Sequence, residues 1–197
     1  WHPLGGRAPH VARLGEEPAI SIINGPGHRP YIATKTDEKW GWIDYVPDVA
    51  TIVLRPDEEE FGRAGGAGAV VIEPNVKPKA SVNKQWSWSR WCELVSDLRA
   101  DGIDVVQVGP AAGACIVPGA AHVITPTIFH ALAVLRFSRA YVGHEGALHH
   151  GAAAMQAPAV VIMGGYISPK QTGYAVRNHR YLFTGGEPCG MRIRCRH

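Results

Sequence analysis

The sequence has no long apolar run. Its best, "AAAMQAPAVVIMGG", is interrupted by Gln156 and Pro158 and falls short of the roughly 20 apolar residues of a membrane-spanning helix. The opening "WHPLGGRAPH" lacks the basic head and apolar stretch of a secretory signal. It also starts on Trp1 rather than methionine, as a processed, tagged or incomplete chain would. Cysteine is scarce: 4 residues make no disulfide scaffold at this length, so a reducing, cytoplasmic setting is expected. Net charge is small, and a formal +3 calls for no nucleic-acid partner. Arg177, Arg180, Arg192, Arg194 and Arg196 nevertheless crowd the C-terminal end against Glu187, a tail suited to phosphate, to nucleic acid or simply to solvent.

Metal and dinucleotide signatures are missing as well. There is no H-x-x-x-H or C-x-x-C spacing. Cys189, Cys195 and His197 in "CGMRIRCRH" make only a partial ligand set at irregular intervals, so packing or incidental thiols are the expected reading. "VGPAAG", containing Gly109, has glycines without the G-x-G-x-x-G order of a dinucleotide loop.

What remains is a chain that is 46% hydrophobic and 19% charged, ordinary for a soluble protein and large enough for a substantial core. It has two textures. Residues 1–68 are rich in glycine, proline and charge, with a few short strands expected and little helix; "RPDEEEFGRAGGAGA" reads as a surface loop or linker. Residues 69–197 are regular. "AVVIEP" reads as a buried strand, "SRWCELVSDLRADG" as an amphipathic helix capped by Ser89 and ended by Gly102, and "DVVQVG" and "HVIT" as strands. Then come a helix entered at Thr127, the strand "AYVG", the helix "ALHHGAAAMQ" and the strand "PAVVIMG". Alternation of helices with continuous apolar strands predicts an α/β fold, a Rossmann-like parallel sheet with helices on both faces.

Ligands of such sheets sit at the carboxyl ends of the strands. The stretch "YVGHEGALHHGAAAM" lies at one of them, with Gly143 and Gly146 allowing a sharp turn and Glu145, His149 and His150 crowded at a helix start. A helix start offers free N–H groups to a phosphate. Adjacent histidines on a helix point apart, so at most one of His149 and His150 is expected to face a pocket. The loop "KPKASVNKQW" follows an earlier strand at the same edge. Lys77, Lys79 and Lys84 are candidates for a diphosphate, with Ser81 and Asn83 as further donors; solvated surface is the competing reading. Trp86, Trp88 and Trp91 read as packing residues. "GGYISPKQTGY" is a further strand-end loop able to close over a ligand.

In this order, Lys84-Gln85-Trp86, then Glu145-Gly146-Ala147-Leu148-His149-His150 with Gly151-Ala152-Ala153-Ala154, then "AVVIMGGYISPKQTGY", the chain resembles the C-terminal half of glycosyltransferase family 9, the heptosyltransferase family, over about residues 69–183. The resemblance implies a two-lobed fold of the glycosyltransferase B type, with 1–68 as a reduced acceptor-side region and 69–197 as the nucleotide-sugar-binding domain. It implies inverting heptosyl or hexosyl transfer from an ADP-heptose-like donor to a hydroxyl acceptor such as a glycan, with no metal and no cofactor. Lys84, Glu145 and His150 would be catalytic. Lys84, Gly109, Gly146, Ala147, Leu148, His149 and His150 would hold the donor. The sequence departs from the family pattern in Glu145 for aspartate, in Ala147 for glycine, and in lacking the N-terminal G-D aspartate. The general base is therefore unassigned, with His10, His28 and Asp44 as candidates. Two other readings stand beside transfer: a nucleotide-sugar-binding module without catalysis, and a sugar-nucleotide epimerase or hydrolase using Glu145 and a histidine.

Overall fold

The computed structural model describes residues 29–76 and 81–193. Strands β1 (Ile32–Lys35) and β2 (Trp40–Trp42) form an antiparallel hairpin. Helix α1 (Pro56–Gly66) follows, then β3 (Val70–Glu73), α2 (Trp88–Ala100), β4 (Val105–Gly109), β5 (Ala121–Ile124), α3 (Ile128–Phe137), β6 (Ala140–His144), α4 (Ala147–Ala154), β7 (Ala159–Ile162), α5 (Pro169–Thr172) and β8 (His179–Leu182). A short 3-10 turn, Val82–Lys84, precedes α2. Strands β3 to β8 make a six-stranded parallel sheet in the order β5-β4-β3-β6-β7-β8. The strand order reverses between β3 and β6, which makes their carboxyl ends the switch point where ligands of such sheets bind.

Both faces of the sheet are covered, which is why its strands read as unbroken apolar runs. Val71, Val106, Tyr141 and Val161 face one core with Phe129, Leu132 and Leu135 of α3 and Leu148 and Ala152 of α4. Val70, Ile72 and Val105 face the other, against Trp91 and Val95 of α2, with Leu94 and Leu98 packed beside them. The expected Rossmann-like architecture is the observed one.

Three readings need correction. The stretch taken for a loop or linker is helix α1. Arg55 and Glu58 close its start, the Arg55 backbone N–H donating to Glu58 Oε2 at 2.8 Å. Its glycines serve contact rather than flexibility: a Cβ at Gly62 would collide with the carbonyl oxygen of Ala133, and one at Gly66 with that of Val134. Helix α1 thus packs against α3 of the region that follows it. The cap of α2 is Ser87, two residues before the expected Ser89. The strand-end loop "GGYISPKQTGY" carries the short helix α5, and Arg180 lies in edge strand β8.

The α1–α3 contact gives a first prediction. Gly62→Ala should lower stability by roughly 1–3 kcal/mol through overpacking, although alanine is the better helix former by about 1 kcal/mol. Urea unfolding measures it; an unchanged or higher midpoint would show that the two helices can part without cost.

Candidate functional site

At the switch point β6 ends in His144, and the chain turns through Glu145 and Gly146 into α4. Gly146 is an open N-cap in extended conformation, with nothing within 4 Å of where a Cβ would stand. The amides of Ala147, Leu148 and His149 occupy the first helical turn, where N–H groups have no intrahelical acceptor. Glu145 and Lys84 form an ion pair across the turn, with side chains 7% and 18% exposed. The Lys84 ammonium also lies 5.1 Å from the ring centre of Tyr166. His150 Nε2 stands 3.8 Å from the second Glu145 oxygen, and its Nδ1 is 2.9 Å from the Tyr174 hydroxyl. Burial lowers the His150 pKa, while the Glu145 carboxylate opposes that shift.

The loop carrying Lys84 is fixed on three sides. The Trp86 backbone N–H donates to His144 Nε2 at 2.8 Å, and its ring meets Trp91 edge-on at 5.0 Å. Burial brings His144 down to about 4, so at neutral pH the ring is uncharged and its nitrogen can accept. Ser81 Oγ–H donates to the Met191 carbonyl at 2.7 Å, and the Asn83 amide donates to the carbonyls of Met191 and Ile193 at 3.0 Å each. Ser81 and Asn83 are thus anchors of the loop rather than the phosphate donors expected of them. From the far side, the Trp42 indole of the hairpin donates to the Tyr166 carbonyl at 3.0 Å and so buttresses the ring beside Lys84.

Of the cavities at this edge, two border the start of α4. One, of about 230 Å³, is lined by Glu73, Asn75, Val76, Lys84, His144, Glu145, Gly146 and Ala147. Its neighbour, of about 290 Å³, lies between the ends of β4 and β5 and the start of α4; Gly109, Pro110, Thr125 and Leu148 are in its wall. Glu73 and Ala147 belong to both.

The structure thus brings together Lys84, Glu145, His150, Gly146 and Ala147, with Gly109 and Leu148 at the adjoining cavity. It does not bring His149 there. That side chain is fully buried among Tyr174, Tyr181 and His179, and burial lowers its pKa to about 2. Its side chain is a core group, and only its backbone remains available at the helix start. Gly143 is corrected as well: it makes room for the Tyr141 ring, which a Cβ would strike. Trp88 stays exposed at the surface. Asp44 accepts a hydrogen bond from Gln171 at 2.9 Å. Lys77, Lys79, His10, His28, Cys195 and His197 lie outside the described residues, within which no three His, Cys, Asp or Glu groups gather to hold a metal. No helix among the described residues is long and apolar enough to cross a membrane.

The sequence reading missed Glu73, His144, Tyr166 and Tyr174. A lone acid closing a buried strand at the ligand edge was the one available signal for Glu73. The other three act through contacts that leave no spacing in the sequence.

No protein-family model matches the sequence, and no curated protein does. Solved structures do resemble it. ADP-heptose LPS heptosyltransferase II of E. coli is 20% identical with a TM-score of 0.55, over 70% of this chain and 47% of that one. A glycosyl transferase family 9 structure from Veillonella parvula has a TM-score of 0.56 at 13% identity, over 72% and 44%. E. coli heptosyltransferase WaaC with ADP has a TM-score of 0.51 at 18% identity, over 59% and 38%. The chain spans less than half the length of each. At these identities the likeness establishes the fold: a parallel α/β sheet of the kind found in family 9 glycosyltransferases, as the motifs implied.

Proposed function

We propose that this chain binds a nucleotide-diphosphate sugar, ADP-heptose-like in character, and takes part in transferring its sugar to a hydroxyl acceptor with inversion and without a metal, in the cytoplasm. The observation that carries the reading is the Lys84–Glu145 pair set against the start of α4 at the switch point. A diphosphate there meets a cation and unbonded N–H groups together. In an inverting transfer the acceptor hydroxyl gives up its proton to a base and its oxygen bonds to the anomeric carbon as the bond from that carbon to the diphosphate oxygen breaks. Negative charge then grows on the departing phosphate, where preorganised donors are most effective. Lys84 and the first-turn amides would stabilise that charge. Glu145 would accept hydrogen bonds from sugar hydroxyls, and His150, held by Tyr174, would donate to the phosphate. The names of the similar structures, an ADP-heptose LPS heptosyltransferase and a heptosyltransferase with ADP, are consistent with this donor class.

Calorimetric titration with ADP, UDP, GDP and CDP tests the reading. Micromolar binding of one of them is expected, and absence of binding by all four would end it.

A further inference from the structure

The loop that carries Lys84 has a second side. Lys84 lines the cavity of Glu145, whereas its neighbours Asn83 and Gln85 line a different one of about 640 Å³, bounded also by Asn75, Val82, Trp86 and Trp88. This cavity lies toward α2, whose first residue is Trp88; the cavity at the ends of β4 and β5 lies toward α3 and α4. Its size is that of a ligand site, and the function proposed above makes no use of it.

The chemistry of its wall is selective. None of the described residues in it is charged. Trp88 is 41% and Val82 42% exposed, which leaves an indole ring and an isopropyl group in water. The Trp86 ring is fixed by its edge-on contact with Trp91. Three carboxamides accompany these apolar surfaces. The Asn75 amide donates to the Cys115 carbonyl at 3.1 Å, and that of Asn83 to the Met191 and Ile193 carbonyls at 3.0 Å each. Those contacts orient both groups and leave their side-chain oxygens as acceptors, while the exposed Gln85 brings a donor and an acceptor. A phosphate meets no cation among these groups, and an aliphatic ligand would bury the amides without partners. A sugar ring, with an apolar face and a rim of hydroxyls, satisfies both kinds of surface.

We propose that this cavity binds a neutral saccharide, one ring stacked on Trp88 and its hydroxyls on Asn75, Asn83 and Gln85. Asn75 and Val76 line both this cavity and that of Lys84 and Glu145, so a glycan held here lies beside the proposed donor. Its role as the acceptor rests on the function proposed above; saccharide binding itself does not.

The test is calorimetric titration of wild type, Trp88→Ala, Trp88→Phe and Gln85→Ala with neutral trisaccharides of glucose, galactose, mannose and N-acetylglucosamine, and with trigalacturonate as an acidic counterpart. Wild type should bind at least one neutral trisaccharide, and more tightly than trigalacturonate. Trp88→Ala should weaken that binding at least about tenfold, as loss of an aromatic anchor predicts. Trp88→Phe should recover part of it, and Gln85→Ala should weaken it several-fold. Both side chains are exposed, so melting temperatures should stay near that of wild type. Failure of wild type to bind any neutral trisaccharide overturns the site, as does preference for trigalacturonate or full affinity in Trp88→Ala. Wild type that binds a saccharide but none of the four nucleotides upholds this site and ends the donor reading; the reverse result ends the site alone.

Discussion

Lys84→Ala should abolish nucleotide binding and at the same time destabilise the fold by about 3 kcal/mol. A loop lysine read from sequence promises the first effect without the second. In the structure, however, Lys84 faces a carboxylate that is 7% exposed. Removing one partner of a desolvated pair leaves the other charge uncompensated, at a cost of roughly 3–5 kcal/mol; the partial exposure of Lys84 places the effect at the low end. Adding Glu145→Gln to Lys84→Ala removes the stranded charge, so the double variant should regain much of the stability and none of the binding. Urea unfolding with parallel titration separates the two losses. A single variant as stable as wild type would mean that the pair is well solvated and that Glu145 needs no partner.

Acidification should produce the other large effect. An unfolded histidine takes up a proton near 6.5, whereas burial delays the event to about 4 for His144 and about 2 for His149. Between pH 6.5 and 4 the unfolded state therefore binds more protons, and stability, fully present above 6.5, falls as pH falls. Each group withdraws about 3 kcal/mol by pH 4, at 1.36 kcal/mol per pKa unit. Glu73 works in the opposite sense. Its pKa is raised from 4.5 to about 7, so the folded state holds the extra proton between those values, and this contribution is lost as pH rises through 7. It offsets about 3 kcal/mol of the histidine loss, leaving these three groups with a net decline of about 3 kcal/mol from pH 7 to 4, to which His150 and His179, also lowered by burial, add in the same sense. Glu73→Gln removes the offset and should steepen the decline while raising stability at pH 8. Denaturant midpoints at pH 8, 7, 5.5 and 4 check both slopes. A wild type equally stable across that range would show that these histidines titrate freely.

Much of the sheet was legible because its strands are buried on both faces: "AVVI", "VVQVG" and "AVVI" again carry no polar alternation to confuse with loops. The junction around Glu145 was legible for the same reason, since a strand end and a helix start can be placed without coordinates. Helix α1 was not, because glycine weakens helices locally and the compensating contact with α3 lies some 70 residues away in sequence. Strand β8, with His179 and Arg180 in a four-residue span, shows no apolar run. At the site, Lys84 and Glu145 were found by their company in the motifs. Glu73 and His144 were not, because their roles depend on Tyr141 Oη and the Trp86 amide reaching them across the fold. His149 was misplaced since sequence shows that two neighbouring histidines diverge but not which one turns inward.

The anchoring of Ser81 and Asn83 to the carbonyls of Met191 and Ile193 bears on the order in which the molecule is made. A ribosome delivers β3, α2 and β6 well before residue 191, so the sheet can form while the segment bearing Lys84 still lacks its fastening. More than a hundred residues must emerge before those carbonyls arrive. On the proposed reading, binding competence would be a late acquisition of the nascent chain, gained after the core that supports it.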